Sequence, residues 1–591
     1  MKGSALKHYR RKRFFYRLFM RNSPRNGAMF GIAWISMVAG VSPFILWALL
    51  FVLSGAFTSG EKMIACVVGV ILMSIPAYIY GYIVAIYGVS RICQSVFKNK
   101  AVCMTASVVG CYFLPLLGAV LAPVLVRRKK FAGAVLALAG CGFYVLSYFK
   151  YFNILTCVFL GAMCYFGALA FAGDKRRFSW KFSIPFSIAL VLHLLLAGYN
   201  IKLQYDVKHY RKELSQTVGH SVEIDDFWKR EAQGFPVDRE PLKTLIAAKP
   251  EETLPVYEYE DIGRARKMVL EYEKKFPEFV KAVDEFLQLP VSRVAHKYPE
   301  KGMLTNISAP ELSAFRRGAR YLAMKTAAFS DDKKQVRECN EKLVKLRDLL
   351  LHNEHVLGFL VANSVEHIRL SVLTTVLGRG TFSGSGFEEL LGKPVEWEKF
   401  LRRVFGCEAT AFNSIVNFVQ SEKSSFSSDY AAFNTVKKYV PLFLDTHFLL
   451  DYRYYLRWNI KACSLPQDIS GVEKCQLTGV DSEDLENSPF FLSGMFIPAM
   501  GFMYIFPAQR ADGRESVLLA AKVMAYYQQH GKVPENLDFL PGVPLAKLDH
   551  RPLMYEKTAD GFRIFSHTKD GRKPGAKDQQ YTYQVRTAPK R

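Results

Sequence analysis

The sequence predicts a multi-pass α-helical membrane domain, then a mainly α-helical soluble domain, then a small C-terminal α+β module built from a helix and a β-hairpin. Three observations carry that expectation. The first 200 residues hold six long apolar segments and only two acidic residues, Glu61 and Asp174. From about 205 to 530 apolar residues recur with a helical period. Near the end, PLMYEKTADGFRIFSH sets two short apolar runs on either side of an Asp-Gly pair, which signals a hairpin.

The net charge of +25 is unevenly spread. Residues 1–200 carry 22 Lys+Arg against 2 acids, and the remainder carries 56 against 51. A nucleic-acid footprint would place its surplus on the soluble part, so no nucleic acid is expected as a partner. Four regions follow: a basic cytoplasmic tail at 1–30, a membrane domain at 31–200, a helical extracytoplasmic domain at 201–510 and the C-terminal module at 511–591. The tail has nine Lys/Arg and no acid before Gly27, and suits the anionic inner face of a lipid bilayer. The apolar run after it is too long for a cleaved signal peptide.

The apolar segments lie at about 31–57, 63–90, 101–126, 131–148, 153–172 and 180–199. Most approach the roughly 20 residues that span a bilayer as a helix. If all six cross, loop Lys/Arg divides 13 inside against 9 outside. If 101–126, which contains Pro115 and Pro123, re-enters on its own side, the division becomes 20 against 2. Leaving out 31–57 instead gives 18 against 4. Either way an odd number of crossings puts 201–591 outside the cytoplasm. His193 is the one ionisable side chain inside the segments besides Cys and Tyr. Pumps and ion pathways need more than that, so an anchor is expected.

In the soluble part, Ser308 and Glu311 have the spacing of a capping box ahead of ELSAFRRGARYLAMKTAAF. After the turn SDDKK, one helical period runs from VRECNEKL to LSVLTTVL. The pair resembles one unit of a helical-hairpin array such as a tetratricopeptide repeat, though no fixed period recurs. Further helices are predicted at 257–288, 396–421 and 429–461, with GRGTFSGSG (378–386) as a flexible linker. SPFFLSGMFIPAMGFMYIF (488–506) reads as buried helix, because Gly494, Pro498 and Gly501 weaken the alternative of a seventh span. Gly531 is placed to end the last helix as a C-cap.

The order helix, HGKVPENL, VPL, PLMY, then DGFRIFS and a second Asp-Gly resembles the C-terminal segment of uncharacterised bacterial membrane-anchored envelope proteins. That segment is in turn similar to the end of type II secretion major pseudopilins. The helices through LLLHNEHVLGFLVANSVEHIRLSVL and LRRVFGCEATAFNSIV resemble the same group more diffusely. The resemblance implies a bacterial inner-membrane protein with its soluble part outside the cytoplasm, and it implies no known activity. Pseudopilins bind calcium near the end of the hairpin. The corresponding loop here, SHTKDGRKPGAKDQQY, keeps only Asp570 and Asp578 among four cations, so no calcium is expected.

The best constellation for chemistry is HNEHVLGFLVANSVEH. On one helix, His352 and His355 are three apart, and Glu366 returns to the same face 11 residues later. No HEXXH, cysteine-pair, nucleophile-elbow or P-loop motif accompanies them. Cys463 and Cys475 could form a bridge in an oxidising compartment, or remain free thiols. DYRYYLRWN interleaves aromatics with arginines as single-strand binders do, or as a helix core does. No cofactor is expected. The biochemical function stays unknown at this level. The leading expectation is a non-enzymatic envelope protein presenting a helical interaction domain to a protein partner. The alternative is a membrane-bound hydrolase using a metal on His352, His355 and Glu366.

Overall fold

In a computed structural model, the described residues are 118–127, 129–146, 183–255, 262–295, 309–382, 384–420, 441–478, 493, 497, 500–575, 578 and 581–587. The chain divides into two compact units. The first comprises Met1–Asp206, Val419–Asp451 and Glu483–Gly494, and the second Val207–Phe418, Tyr452–Ser482 and Met495–Arg591.

In the first unit, α1 (Gly118–Arg127) and α2 (Phe131–Leu146) pack together. Ala122 and Leu125 meet Ala134 and Ala137 in their shared core. The turn between them is Lys129, with φ 56, and the amide of Lys130 donates to Leu125 O at 2.8 Å. The Asn200 side chain, on α3 (Ser183–Val218), donates to Thr446 Oγ1 at 3.0 Å.

The expected multi-pass membrane domain is not what the structure describes. Among the described residues one helix is long and apolar enough to cross a bilayer, and it is Val356–Gly378. That helix lies in the second unit, with 61% of its apolar window buried inside the protein. Its hydropathy serves a core, not lipid. The predicted segments 31–57, 63–90 and 153–172, and most of 101–126, fall outside the described residues.

The second unit is helical. After α4 (Ile224–Ala232), the short β1 (Phe235–Pro236) and α5 (Leu242–Ala247) come α6 (Ile262–Lys275) and α7 (Pro277–Gln288). The single helix expected over 257–288 is broken at Pro277, which has no N–H to continue the ladder and keeps Phe276 out of the helical region. β2 (Val294–Ala295) pairs in parallel with β1. Then α8 (Pro310–Ala328), α9 (Lys333–Leu351) and α10 (Val356–Gly378) pack against one another. Ser308 of the expected capping box lies outside the described residues; Ala309 is the N-cap of α8, Pro310 opens the helix, and Glu311 is fully buried. The SDDKK turn does cap α9, because the Asp332 carboxylate accepts from the amides of Lys334 and Gln335.

The described residues of 378–386 are anchored, not a flexible linker. Phe382 is buried in the core, and Thr381 Oγ1 donates to Ser330 O at 2.6 Å. α11 (Ser385–Leu391), α12 (Trp397–Gln420), α13 (Pro441–Cys463) and α14 (Gly471–Thr478) follow. Of the 488–506 stretch, Ser493, Ile497 and 500–506 are described; all are helical and most are buried, as the buried-helix expectation requires, with Phe502 exposed.

The chain closes with α15 (Ile505–His530) and an antiparallel sheet in the order β3 (Met554–Thr558), β4 (Gly561–Phe565), β5 (Thr582–Arg586). Gly531 ends α15 at φ 74, as predicted. Tyr555 pairs with Ile564, so the predicted hairpin is formed. Its turn is Ala559–Asp560, however, and Gly561 already belongs to β4. β5 pairs Phe562 with Val585 and Ile564 with Tyr583. Phe562, Ile564, Tyr583 and Val585 pack on Val517, Val523 and Met524 of α15, and equally on Leu370, Leu373, Val376 and Leu377 of α10. The C-terminal module and α10 therefore share one core.

Candidate functional site

HNEH is not a stretch of one helix. It is the joint between α9 and α10, and each residue has a local task. His352 is the C-cap of α9, with Nδ1 2.6 Å from Asp348 O. Asn353 is 1% exposed and its Oδ1 accepts from the amide of Val294 in β2. Glu354 takes a left-handed φ of 54, a conformation that costs a non-glycine residue about 1–3 kcal/mol. Its carboxylate lies 3.8 Å from Arg230 Nε and 3.6 Å from Arg403 Nη1, which offsets that strain. His355 is the N-cap of α10, and its Nδ1 accepts from the Leu357 amide at 3.0 Å. The predicted common face of His352, His355 and Glu366 therefore does not exist, because the helix they were to share stops at Leu351 and restarts at Val356. Among the described residues no three His, Cys, Asp or Glu side chains are placed to hold a metal ion.

Glu366 stands three turns into α10 and is 3% exposed. It accepts from Arg369 Nη2 at 2.8 Å, Arg369 Nε at 2.8 Å and Arg347 Nη1 at 3.0 Å. Arg369 also donates to Asn340 Oδ1 and to Leu391 O, and Asn340 donates to Leu390 O. One carboxylate thus ties α9, α10 and the end of α11 together. Burial alone would push the Glu366 carboxyl up, but Arg369 and then Arg347 more than offset it and hold its pKa at about 2. The arginines were not singled out from the sequence. The available signal was Glu366 and Arg369 three apart inside an otherwise apolar run, which reads as a buried ion pair.

Above this network opens a cleft of about 610 Å³, a volume within the usual range for small-ligand sites. Ser292, Asn340, Lys345, Asp348, His352 and Lys393 are among its walls. Several of these groups are already committed. Lys345 Nζ donates to Leu287 O and Leu289 O, Asp348 accepts from Arg347 Nε, and Asn340 holds Leu390.

A second polar cluster lies behind the joint. Glu231 pairs with Arg293, and Glu408 accepts from the Val356 amide at 3.4 Å. Burial raises the Glu408 carboxyl to about 7. Burial also lowers His220 to about 4, with Glu354 opposing and Arg230 assisting. His220 packs so closely on α12 that a Cβ at Gly406 would lie 3.0 Å from its Nε2.

His367 is buried, with Nδ1 3.4 Å from the Tyr583 hydroxyl. His530 is exposed, and His567 lies 3.2 Å from Asp549. In the loop after β4, Asp570 is exposed and Asp578 pairs with Arg572 at 2.6 Å. Cys463 and Cys475 are free thiols, and burial raises both. Three of the four DYRYYLRWN aromatics are core: Tyr452 and Tyr455 are fully buried and stack on Phe412, Trp458 is buried, and Tyr454 is exposed. No family model, no curated protein and no solved structure matches this chain.

Proposed function

We propose that the chain is a non-enzymatic bacterial envelope protein whose helical domain, outside the cytoplasm, serves as a protein-interaction scaffold. One observation carries the non-enzymatic part. The residues best suited to chemistry in HNEHVLGFLVANSVEH are each committed to holding helices in place. His352 and His355 cap helix ends, Glu354 bridges two arginines, and Glu366 neutralises two more. The envelope location rests on the pseudopilin-like order of the C-terminal residues. The scaffold role draws support from exposed apolar side chains on the helices flanking the joint, Trp228 at 41% and Leu357 at 45%.

The test has two arms, both on the full chain. A photo-crosslinking residue at Leu357, in intact cells, should give one dominant protein adduct that is weak or missing from Leu270, which is exposed on α6. No adduct at either position removes the scaffold reading. Metal analysis of the purified chain forms the second arm. Stoichiometric zinc that disappears in His352→Ala and His355→Ala would replace the scaffold with a metalloenzyme.

A further inference from the structure

We propose that a small inorganic anion binds beside Arg510, where α10 and α15 pack together. Arg510 is 2% exposed, and its Nε and Nη1 have no hydrogen-bond acceptor. An arginine keeps its proton in a protein interior. A buried guanidinium without a counter-charge is a strongly unfavourable arrangement, and a fold that contains one has room in its charge balance for an anion.

Burial raises the carboxyl of Asp512, two residues away, to about 7 although it feels the Arg510 charge, which leaves it only partly ionised at neutral pH. Its two carboxylate oxygens accept from the amides of Lys547 and Leu548. On α10, Leu370 Cδ1 lies 3.2 Å from the point a Cβ on Gly513 would occupy. One turn earlier on each helix stand His367 and Arg510. Burial and the Arg510 charge hold the His367 ring well below its usual pKa, so it is neutral and adds no negative charge. Two more buried polar atoms on these helices lack partners: Asn363 Oδ1, one turn before His367, and Ser516 Oγ. Asn363 shares a helix face with His367, four residues on, and its side-chain N–H groups are donors of the kind an anion takes. The packing is tight, since a Cβ on Gly513 would collide with the Tyr583 hydroxyl. That favours an ion of chloride or phosphate size over an organic ligand.

The experiment is thermal unfolding of the full chain in sodium chloride and in sodium phosphate. Ionic strength is held with sodium gluconate, whose anion is too bulky for a buried position. The Tm of the wild type should rise by a few degrees between about 1 mM and about 100 mM of at least one small anion, as linkage to a single site requires. Arg510→Met should not respond. A wild-type Tm indifferent to the exchange of anions overturns the site, and so does an equal rise in Arg510→Met. Should Arg510→Met fail to fold, Arg510→Lys takes its place: a weaker response supports the site and an unchanged one overturns it.

Discussion

Arg369 Nη2 donates to Glu366 Oε1 at 2.8 Å, one turn apart inside a helix that is otherwise apolar. The pair explains how a helix with membrane-like hydropathy belongs to a folded core. Two charges there are tolerated only because Arg347 and Asn340 on α9 complete the network. Glu366→Gln strips both arginines of their counter-charge and should destabilise the second unit by about 3–5 kcal/mol. Urea denaturation of the full chain at neutral pH measures it. A loss below about 1 kcal/mol would mean the arginines reach water and the network is not closed. The carboxyl is held at about 2, below its unfolded value near 4.5. Its contribution is therefore complete above about 4.5 and disappears as pH falls towards 2.

Glu408 gives the opposite slope. Burial raises its carboxyl to about 7, so the folded state holds a proton that the unfolded chain has released. Stability should fall as pH rises from about 4.5 to about 7, by roughly 3 kcal/mol in total. Asp512, also raised to about 7 by burial, adds the same sign. His220, lowered to about 4, acts against both between about 4 and 6.5, since its folded form refuses a proton that the unfolded chain takes up. The clean measurement is a difference: Glu408→Gln should flatten the decline between pH 5 and 7. Parallel curves for variant and wild type would show that Glu408 is hydrated.

His355 tests the joint. Its Nδ1 accepts from the Leu357 amide as an N-cap oxygen would. His355→Ala should cost about 0.5–2 kcal/mol, and His355→Asn should recover most of it. His352→Ala, at an exposed C-cap, should cost less. Chemical denaturation decides: if Asn and Ala are equally destabilising, the capping account fails.

Local signals were legible in the sequence, and breaks inside apolar runs were not. Gly531 and the alternation in PLMYEK and FRIFSH fixed the end of α15 and the hairpin, because a C-cap and a period of two depend on few residues. Gly561 was read as the turn residue, yet the turn is Ala559–Asp560. β5 was missed because 16 residues separate it from β4, too many for a local pairing signal. The stop at Leu351 was hidden because the apolar residues on both sides of HNEH keep one period, and the i, i+3 reading of the histidines depended on an unbroken helix. Hydropathy also marked α10 as apolar without revealing what would cover it, and the cover comes from β4, β5 and α15, more than 100 residues downstream.

The strand that supplies part of this cover lies in a slot lined by glycines. A Cβ on Gly378 of α10 would collide with Arg586 O, one on Gly561 with Val585 O, and one on Gly513 of α15 with the Tyr583 hydroxyl. Gly561 has φ 159, a conformation that L side chains rarely adopt, so glycine is required there by conformation as well as by space. Two of the colliding atoms are backbone and cannot move without moving β5. The third is the tip of a side chain. Gly561→Ala and Gly378→Ala should therefore each destabilise the second unit by about 1–3 kcal/mol or more, with no single side-chain change to relieve them. Gly513→Ala should cost a similar amount, but Tyr583→Phe in the same chain removes the colliding oxygen and should restore part of it. Ile564→Ala, which empties space between β4, α10 and α15, should cost about 2–5 kcal/mol. Because α10 and the module share a core, these losses should appear in a single cooperative transition of the full chain. A separate early transition in Ile564→Ala, with the main one unmoved, would mean that the sheet unfolds alone and that α10 is covered by something else.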